Sequence, residues 1–123
     1  MKDTAPLLIA TDFPAISRHA VETLQVNLGY LCNLSCTHCH VNAGPTRTEL
    51  MDSETVDLVL AVAQQLGTRV LDLTGGSPEM NPEFRRLVRA ARDAGITVMD
   101  RCNPTILVEP RSEEHTSELQ SRP

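Results

Sequence analysis

The sequence predicts an α/β fold in which short parallel strands alternate with helices. Apolar residues repeat in the order strand, helix, strand, helix, strand, and each of the two intervening helical stretches is about a dozen residues long. Parallel strands joined by helices require right-handed crossovers, so this order defines βα units. The order is compatible both with the start of a barrel and with an open sheet.

The composition indicates one ordinary globular domain. The chain has 123 residues and a mass of 13.5 kDa. Hydrophobic residues make up 41% of the sequence and charged residues 22%. A net charge of −5 and only three aromatic side chains argue against nucleic acid or an anionic membrane as partner. The early apolar run at residues 5–10 is broken by Asp12 and lacks a basic flank, so it fits neither a membrane span nor a signal peptide, and we expect a cytoplasmic protein.

The first two elements are predicted from a change in periodicity. Between residues 13 and 24 apolar side chains recur at helical spacing, and Pro14 suits a first helical turn, so a short leading helix is expected. Residues 23–28 (TLQVNL) then alternate apolar and polar side chains, which predicts the first strand.

A longer helix is predicted after the cysteine-rich segment that follows this strand. Either Asp52 or Ser53 can cap its first turn, and Gly67 supplies a left-handed stop. Five apolar residues share one helical face: Val56, Val59, Leu60, Ala63 and Leu66.

The second and third strands bracket another helix. Residues 69–74 (RVLDLT) predict a strand, a helix is expected to begin at Asn81 and Pro82 and to end before Gly95, and residues 96–99 predict the third strand. The buried stripe of this helix is predicted to consist of Phe84, Leu87, Val88 and Ala91.

Three unusual sequences follow the three strands. They are a cysteine loop at residues 32–39, the sequence GGSPE at 75–79 and the sequence RCNP at 101–104. Because functional residues of α/β folds lie at the carboxyl ends of parallel strands, these loops are the expected site.

The cysteine spacing predicts a metal centre. Cys32, Cys36 and Cys39 form a C-x3-C-x2-C run on one loop. A four-iron cluster normally takes four cysteines, so three would leave one iron open to a small molecule. The alternatives are zinc held by the three cysteines with His38 or His40, and a disulfide, which would leave an odd thiol in a reducing compartment.

This run resembles the radical SAM superfamily, whose signature is C-x3-C-x-aromatic-C after the first strand of a partial (β/α) barrel. The resemblance implies that the chain is the N-terminal part of such a barrel, about three βα units, and that Cys32, Cys36 and Cys39 hold a 4Fe–4S cluster. It implies that S-adenosylmethionine chelates the open iron and that His38, at the aromatic position, lies near the adenine. The alternative for His38 is a solvated loop residue.

The other two loops are similar to further elements of the same superfamily. The GGSPE loop resembles its Gly-Gly-Glu element, which implies that the backbone of Gly75 and Gly76, together with Glu79, receives the cofactor's ammonium group; an ordinary turn is the alternative. Asn103 stands where the family carries a polar residue for the cofactor's ribose or carboxylate. Cys102 is a substrate thiol, a ligand of a second cluster or a small buried hydrophobe.

A finer resemblance extends over most of residues 23–110. The runs LQVNLGYLCNLSCTHCHVNAGP, LDLTGGSPEMNPEFRRLVRAARDAG and DRCN resemble the radical SAM/Cys-rich family of arsenosugar biosynthesis, with Pro104 where an apolar residue is expected. The family implies reductive cleavage of S-adenosylmethionine to a 5'-deoxyadenosyl radical, an external electron donor and adenosyl transfer to a small methylated arsenical. Hydrogen abstraction from another substrate and a non-catalytic zinc or iron–sulfur module are the alternatives.

The end of the chain changes character. Residues 111–121 (RSEEHTSELQS) resemble a translated sequencing adapter, so we expect residues 1–110 to be the N-terminal portion of a radical SAM domain and 111–123 a non-native tail. A genuine charged tail is the alternative. On the first interpretation the native sequence is cut off after Pro110, and this truncated chain is expected to be catalytically inactive.

Overall fold

The computed structural model describes residues 2–108 and contains one parallel three-stranded sheet. Its strands are β1 (Thr23–Asn27), β2 (Val70–Thr74) and β3 (Thr97–Asp100), in the order β1-β2-β3. The predicted α/β class and the three strands are confirmed, and the sheet is consistent with part of a radical SAM (β/α) barrel. The adapter-like tail lies outside the described residues.

Two helices, α2 (Ser53–Gln65) and α3 (Phe84–Asp93), cover one face of this sheet. The helix α1 (Ala5–Ile9) precedes β1 and buries none of its residues, and short 3₁₀ turns lie at Pro78–Met80 and Pro104–Val108. The core between sheet and helices consists of Val26, Leu28, Val56, Ala63, Leu71, Leu73, Phe84, Leu87, Ala91 and Ile96. Burial of this apolar face is what holds α2 and α3 against the strands.

Strand register assigns the remaining side chains to the opposite face. Leu24, Leu71 and Val98 are register partners on the helix-covered side. Because side chains alternate along a strand, the register partners Gln25 and Asp72 lie on the other side, which we call the open face. In a complete barrel the face opposite the helices is the interior.

The ends of α2 match their sequence signals. Asp52 is the N-cap, and its Oδ1 accepts a hydrogen bond from the Thr55 N–H at 2.9 Å. Gly67 follows the helix with φ of +64°, the left-handed conformation expected of a glycine stop. The predicted helix from Asn81–Pro82 begins slightly later, at Phe84, because the Asn81 side chain accepts a hydrogen bond from the Glu83 N–H.

The predicted leading helix at residues 13–24 is wrong. Residues 13–22 are not helical, and the first helix is the single-turn α1, which has a proline in its first turn. Phe13 is 51% exposed and Ile16 80% exposed. A short helix depends on packing of its apolar face, and here that face has no surface to pack on.

Candidate functional site

The loop after β1 folds back on itself and closes its own base. The N–H of Tyr30 donates to Glu49 O at 2.9 Å, the N–H of Gly44 donates to Tyr30 O at 3.0 Å, and the N–H of Cys32 donates to Gly44 O at 3.2 Å. These hydrogen bonds join the start of the cysteine loop to its end. The cysteines are therefore presented by a closed loop rather than by an open connection.

Arg47 holds the returning half of this loop. Its guanidinium donates to both Glu49 carboxylate oxygens, at 2.9 and 3.0 Å, and to Asn42 O at 2.7 Å, and it lies 4.7 Å from the centroid of the Tyr30 ring. The hydrogen bonds from Arg47 lower the pKa of Glu49 to about 2. Asn42 itself has φ of +52°, so the arginine binds the carbonyl of a left-handed residue.

The three loop cysteines have different surroundings. Cys32 is buried, Cys39 is half-buried and Cys36 is exposed. The Ala43 N–H donates to Cys39 Sγ at 3.3 Å, and backbone hydrogen bonds from Ala43 and Val41 lower the pKa of this thiol. Hydrogen bonding to the thiolate favours the form that binds metals.

The loop thiols are not gathered at the spacing of a single zinc ion. Zn–S bonds of about 2.3 Å place the sulfurs of a tetrahedral site roughly 3.8 Å apart. Among residues 2–108, the one set of three Cys, His, Asp or Glu side chains with ligand atoms all within 4.8 Å of one another is Glu79, Asp100 and Cys102. The geometry of the loop therefore does not reproduce the Cys3His zinc arrangement considered from the sequence.

The two glycines after β2 lie directly against the cysteine loop. A Cβ on Gly75 would come within 2.6 Å of the backbone oxygen of Gly29, and a Cβ on Gly76 within 2.2 Å of Leu31 O. Both have positive φ, +96° and +60°. Gly75 is buried and Gly76 half-buried, so glycine is required here by the close approach of the two loops.

A hydrogen-bonded set of five side chains, which we call the junction network, joins all three loops. Cys32 Sγ and Ser77 Oγ are 3.3 Å apart, and Ser77 Oγ also donates to Asn33 Oδ1 at 3.3 Å. Asn103 Nδ2 donates to the same Asn33 oxygen at 2.9 Å, and Asn33 Nδ2 donates to Thr105 Oγ1 at 2.9 Å. The network thus brings Cys32 and Asn103, two residues singled out from the sequence, to one place.

The remaining predicted residues lie around this junction in different environments. His38 is exposed on the cysteine loop, whereas Glu79 is only 4% exposed and lies beside Asp100. Asn33, Ser77 and Asp100 were not predicted as site residues from the sequence. Asn33 follows Cys32 in the cysteine run, and Ser77 follows Gly76 in the GGSPE loop. A polar side chain inside each motif was the one feature of the sequence that could have indicated a role in the site.

The open face carries an ion pair beside the junction, in which the carboxylate is buried and the arginine is exposed. Asp72, at 4% exposure, accepts hydrogen bonds from Arg101 Nε at 2.9 Å and Nη2 at 2.8 Å, and from Gln25 Nε2 at 3.2 Å. The bond to Arg101 lowers the pKa of the Asp72 carboxyl. The two opposite charges compensate each other on this face.

Fold and site together define an α/β protein with a thiol-rich loop at the carboxyl end of its first parallel strand. Residues 26–121 match the radical SAM superfamily, and the chain belongs to that superfamily. Members use a 4Fe–4S cluster and S-adenosylmethionine, which are therefore the cofactors of this chain by family.

Curated relatives share a part of their length with this chain. The chain is 34% identical over 77 residues to a probable GTP 3',8-cyclase of Sulfurisphaera tokodaii, an alignment that covers 63% of this chain and 25% of the relative. It is 31% identical over 91 residues to the GTP 3',8-cyclase of Chlorobaculum tepidum, which covers 74% of this chain and 27% of that enzyme. The chain thus spans about a quarter of the length of these relatives.

Every helix among residues 2–108 is too short or too polar to cross a lipid bilayer.

Proposed function

We propose that this chain is the cofactor-binding part of a radical SAM enzyme in which Cys32, Cys36 and Cys39 hold the 4Fe–4S cluster. The observation that carries the proposal is the junction network, which joins the cysteine loop to the loops after β2 and β3. Those are the three loops that the superfamily resemblance assigns to the cofactors.

The donor set of the loop fits such a cluster. It offers three cysteines, and the pKa of the Cys39 thiol is lowered. The sulfur of Cys32 accepts a hydrogen bond from the Leu34 N–H at 3.5 Å and lies 3.3 Å from the Ser77 hydroxyl. The ligand atoms of the three loop cysteines do not all lie within 4.8 Å of one another. This spacing is wider than a single metal ion requires, but a cluster of several irons can span it. When bound, the cluster supplies the electron that cleaves S-adenosylmethionine and releases the 5'-deoxyadenosyl radical.

For S-adenosylmethionine we propose contacts from five residues of the three loops. His38 is exposed near the cluster cysteines and would lie along the adenine. The backbone of Gly75 and Gly76, with the Glu79 carboxylate, would receive the ammonium group, and Asn103 would bind the ribose or carboxylate. Asn103 already donates to Asn33 next to Cys32, so its amide is oriented toward the cluster loop.

For the substrate we propose a small methylated arsenical, adenosylated at arsenic, as the resemblance to the arsenosugar family implies. The open face supports a substrate without several negative charges, because Arg101 is already compensated by Asp72. A triphosphate is usually held by uncompensated arginine or lysine. GTP is the second candidate, favoured by the activity for which the relatives are named.

Iron content tests the cluster ligands directly. The 123-residue chain, reconstituted anaerobically with iron and sulfide, is expected to bind about four irons, as a 4Fe–4S cluster requires. Cys32→Ser, Cys36→Ser and Cys39→Ser should each abolish the cluster, whereas Cys102→Ser should retain it. Retention of the cluster in all three loop variants, or its loss in Cys102→Ser alone, would overturn the assignment.

The test of the proposed substrate requires the full-length parent enzyme. Incubated with S-adenosylmethionine, an external electron donor and a trivalent methylated arsenical, it is expected to yield an adenosylated arsenical detectable by mass spectrometry. Conversion of GTP in a parallel reaction, with the arsenical left unchanged, would replace the first candidate by the second.

A further inference from the structure

We propose that Arg101, held by Asp72 and Gln25 on the open face, binds a small monoanion that carries two oxygens on one atom, such as a carboxylate or an arsinate. We call these three side chains the arginine site. Arg101 follows β3 directly, and its N–H donates to Leu73 O at 2.9 Å, so it lies at the carboxyl ends of the strands. That this ligand is the substrate rests on the proposed function, because the open face is the barrel interior of a complete radical SAM fold.

The guanidinium of Arg101 is occupied along one edge and free along the other. Its Nε and Nη2 donate to the Asp72 carboxylate at 2.9 and 2.8 Å, and within residues 2–108 all of its hydrogen bonds go to Asp72. A guanidinium has five N–H groups in a fixed planar fork. The edge formed by Nη1 and the second N–H of Nη2 is therefore left for a ligand, and its geometry matches two oxygens on one atom.

Asp72 and Gln25 fix the position of this arginine. Asp72 is buried on the central strand and also accepts a hydrogen bond from Gln25 Nε2 at 3.2 Å, whereas the Arg101 side chain is 55% exposed. Pairs that contain a buried charge are often replaced by apolar side chains without loss of stability, so stability alone does not explain the carboxylate. A guanidinium that is already held loses less conformational entropy when it binds a ligand.

Asp72 also limits the charge of the ligand. It is the one charged side chain that β1, β2 and β3 place on the open face, and it cancels the charge of Arg101. A monoanion receives two charge-assisted hydrogen bonds from the free edge of the guanidinium. Each further negative charge adds repulsion from Asp72 without a new donor, so the site discriminates against a triphosphate.

Met99 provides an apolar neighbour for the ligand. It is the register partner of Asp72 and lies two residues before Arg101, so its side chain is on the open face. It is 49% exposed, and a thioether is an adaptable, polarisable contact for apolar groups. We therefore expect an apolar substituent, such as a methyl group, on the atom that carries the two oxygens.

NMR titration of the metal-free 123-residue chain with acetate, dimethylarsinate and inorganic triphosphate tests the site. The ¹⁵N–¹H signal of Arg101 Nε is the one that disappears in Arg101→Lys, and both monoanions are expected to shift it to saturation. Arg101→Lys keeps the charge but removes the fork, so binding, followed at the Met99 amide, should weaken roughly 10-fold or more. Arg69→Lys, which alters an exposed arginine just before β2, is the matched control and should leave binding unchanged.

Charge selectivity is tested with the same probes. The unaltered chain is expected to bind triphosphate roughly 10-fold more weakly than the monoanions, and Asp72→Asn should reverse this order because the charge of Arg101 is then uncompensated. Tighter binding of dimethylarsinate than of acetate would assign the site to an arsenical, and the opposite order to a carboxylate.

The proposal is overturned if neither monoanion shifts the Arg101 signal more than the Arg69 signal, or if triphosphate binds the unaltered chain more tightly than the monoanions. Both outcomes are measured on the unaltered chain, so a variant that does not fold leaves the test decisive. Iron content after reconstitution reports separately on the cluster, so failure of the arginine site and failure of the proposed function are distinguishable.

Discussion

Gly76 is the residue whose replacement separates backbone strain from loop crowding. Gly76 and Gly67 have nearly the same φ, +60° and +64°, but a Cβ on Gly76 would meet Leu31 O at 2.2 Å, whereas nothing lies within 4 Å of a Cβ on Gly67. We predict that Gly67→Ala lowers the free energy of unfolding by about 1–2 kcal/mol, the left-handed strain alone. Gly76→Ala should cost about 1–3 kcal/mol more because of the clash.

Urea unfolding of the two variants measures this difference, with Gly67→Ala as the matched control. Gly76→Ala should also impair cluster assembly, because the loop after β2 would be pushed from the cysteine loop. Equal losses of stability in both variants would show that the two loops do not pack as closely as described.

Ser77 is predicted to tune the cluster through Cys32. Once Cys32 is a metal-bound thiolate its sulfur can only accept, so the Ser77 hydroxyl, 3.3 Å away, turns its one proton from Asn33 Oδ1 to this sulfur. Hydrogen bonds to cluster sulfurs help to set the reduction potential, and a donor stabilises the more negative, reduced state. Ser77→Ala should therefore lower the midpoint potential in a titration monitored by EPR.

Thr105→Val is the matched control for Ser77→Ala. It removes another member of the junction network, bonded to Asn33, without touching the Cys32 sulfur. An equal shift in both variants would indicate a general disturbance of the network, and no shift in Ser77→Ala would exclude the hydrogen bond to the sulfur.

Sequence identified the motifs of the site but not the contacts that connect them. Cys32, Gly75 and Asn103 could be selected because each lies in a recognisable motif after a strand. The bonds of Asn33 to Ser77 and Asn103 could not be predicted, because they depend on side-chain positions in loops that are more than 40 residues apart. Local patterns carry no information about such pairings.

At the scale of elements, the closure of the cysteine loop by Arg47 and Glu49 predicts a pH dependence. The pKa of Glu49 is about 2 in the folded chain against an ordinary value of 4.5. Ionised Glu49 therefore stabilises the folded state above about pH 4.5, and this contribution is lost as the pH falls toward 2. The stability difference between the unaltered chain and Glu49→Gln should shrink over that interval.

Denaturant unfolding between pH 6 and 3 checks the trend, with Arg47→Gln as the reference background. Without the guanidinium, Glu49→Gln should have a small effect at every pH. A difference that stays constant with pH in the unaltered background would contradict the ion pair as the cause.

The regular elements with tertiary packing were predicted well, and the one without it was not. The three strands, α2 and α3 have periodic apolar faces that the structure buries, and Asp52 and Gly67 mark the ends of α2 as expected. The stretch at residues 13–22 has similar spacing but stays exposed. Periodicity reports the capacity to form a buried face, and only the tertiary structure decides whether a partner surface exists.

At the scale of the whole molecule, the described sheet is incomplete as a barrel. Within residues 2–108, β1 and β3 each have one edge without a strand partner, and three strands compare with the eight of a closed (β/α) barrel. Unpaired edges favour association. We predict that the 123-residue chain forms no 5'-deoxyadenosine when supplied with reductant and S-adenosylmethionine.

Chromatographic assay for 5'-deoxyadenosine, with the full-length parent as the positive control, checks this expectation. Formation of 5'-deoxyadenosine by the purified chain above a protein-free control would show that three βα units suffice for cofactor cleavage.

The most direct test of the account is the EPR spectrum of the reconstituted, reduced 123-residue chain with and without S-adenosylmethionine. We predict a 4Fe–4S signal that changes when S-adenosylmethionine is added, because three cysteines leave one iron open to it. A cluster signal that S-adenosylmethionine leaves unchanged, or zinc in stoichiometric amount bound by the loop cysteines in place of a cluster, would contradict the assignment.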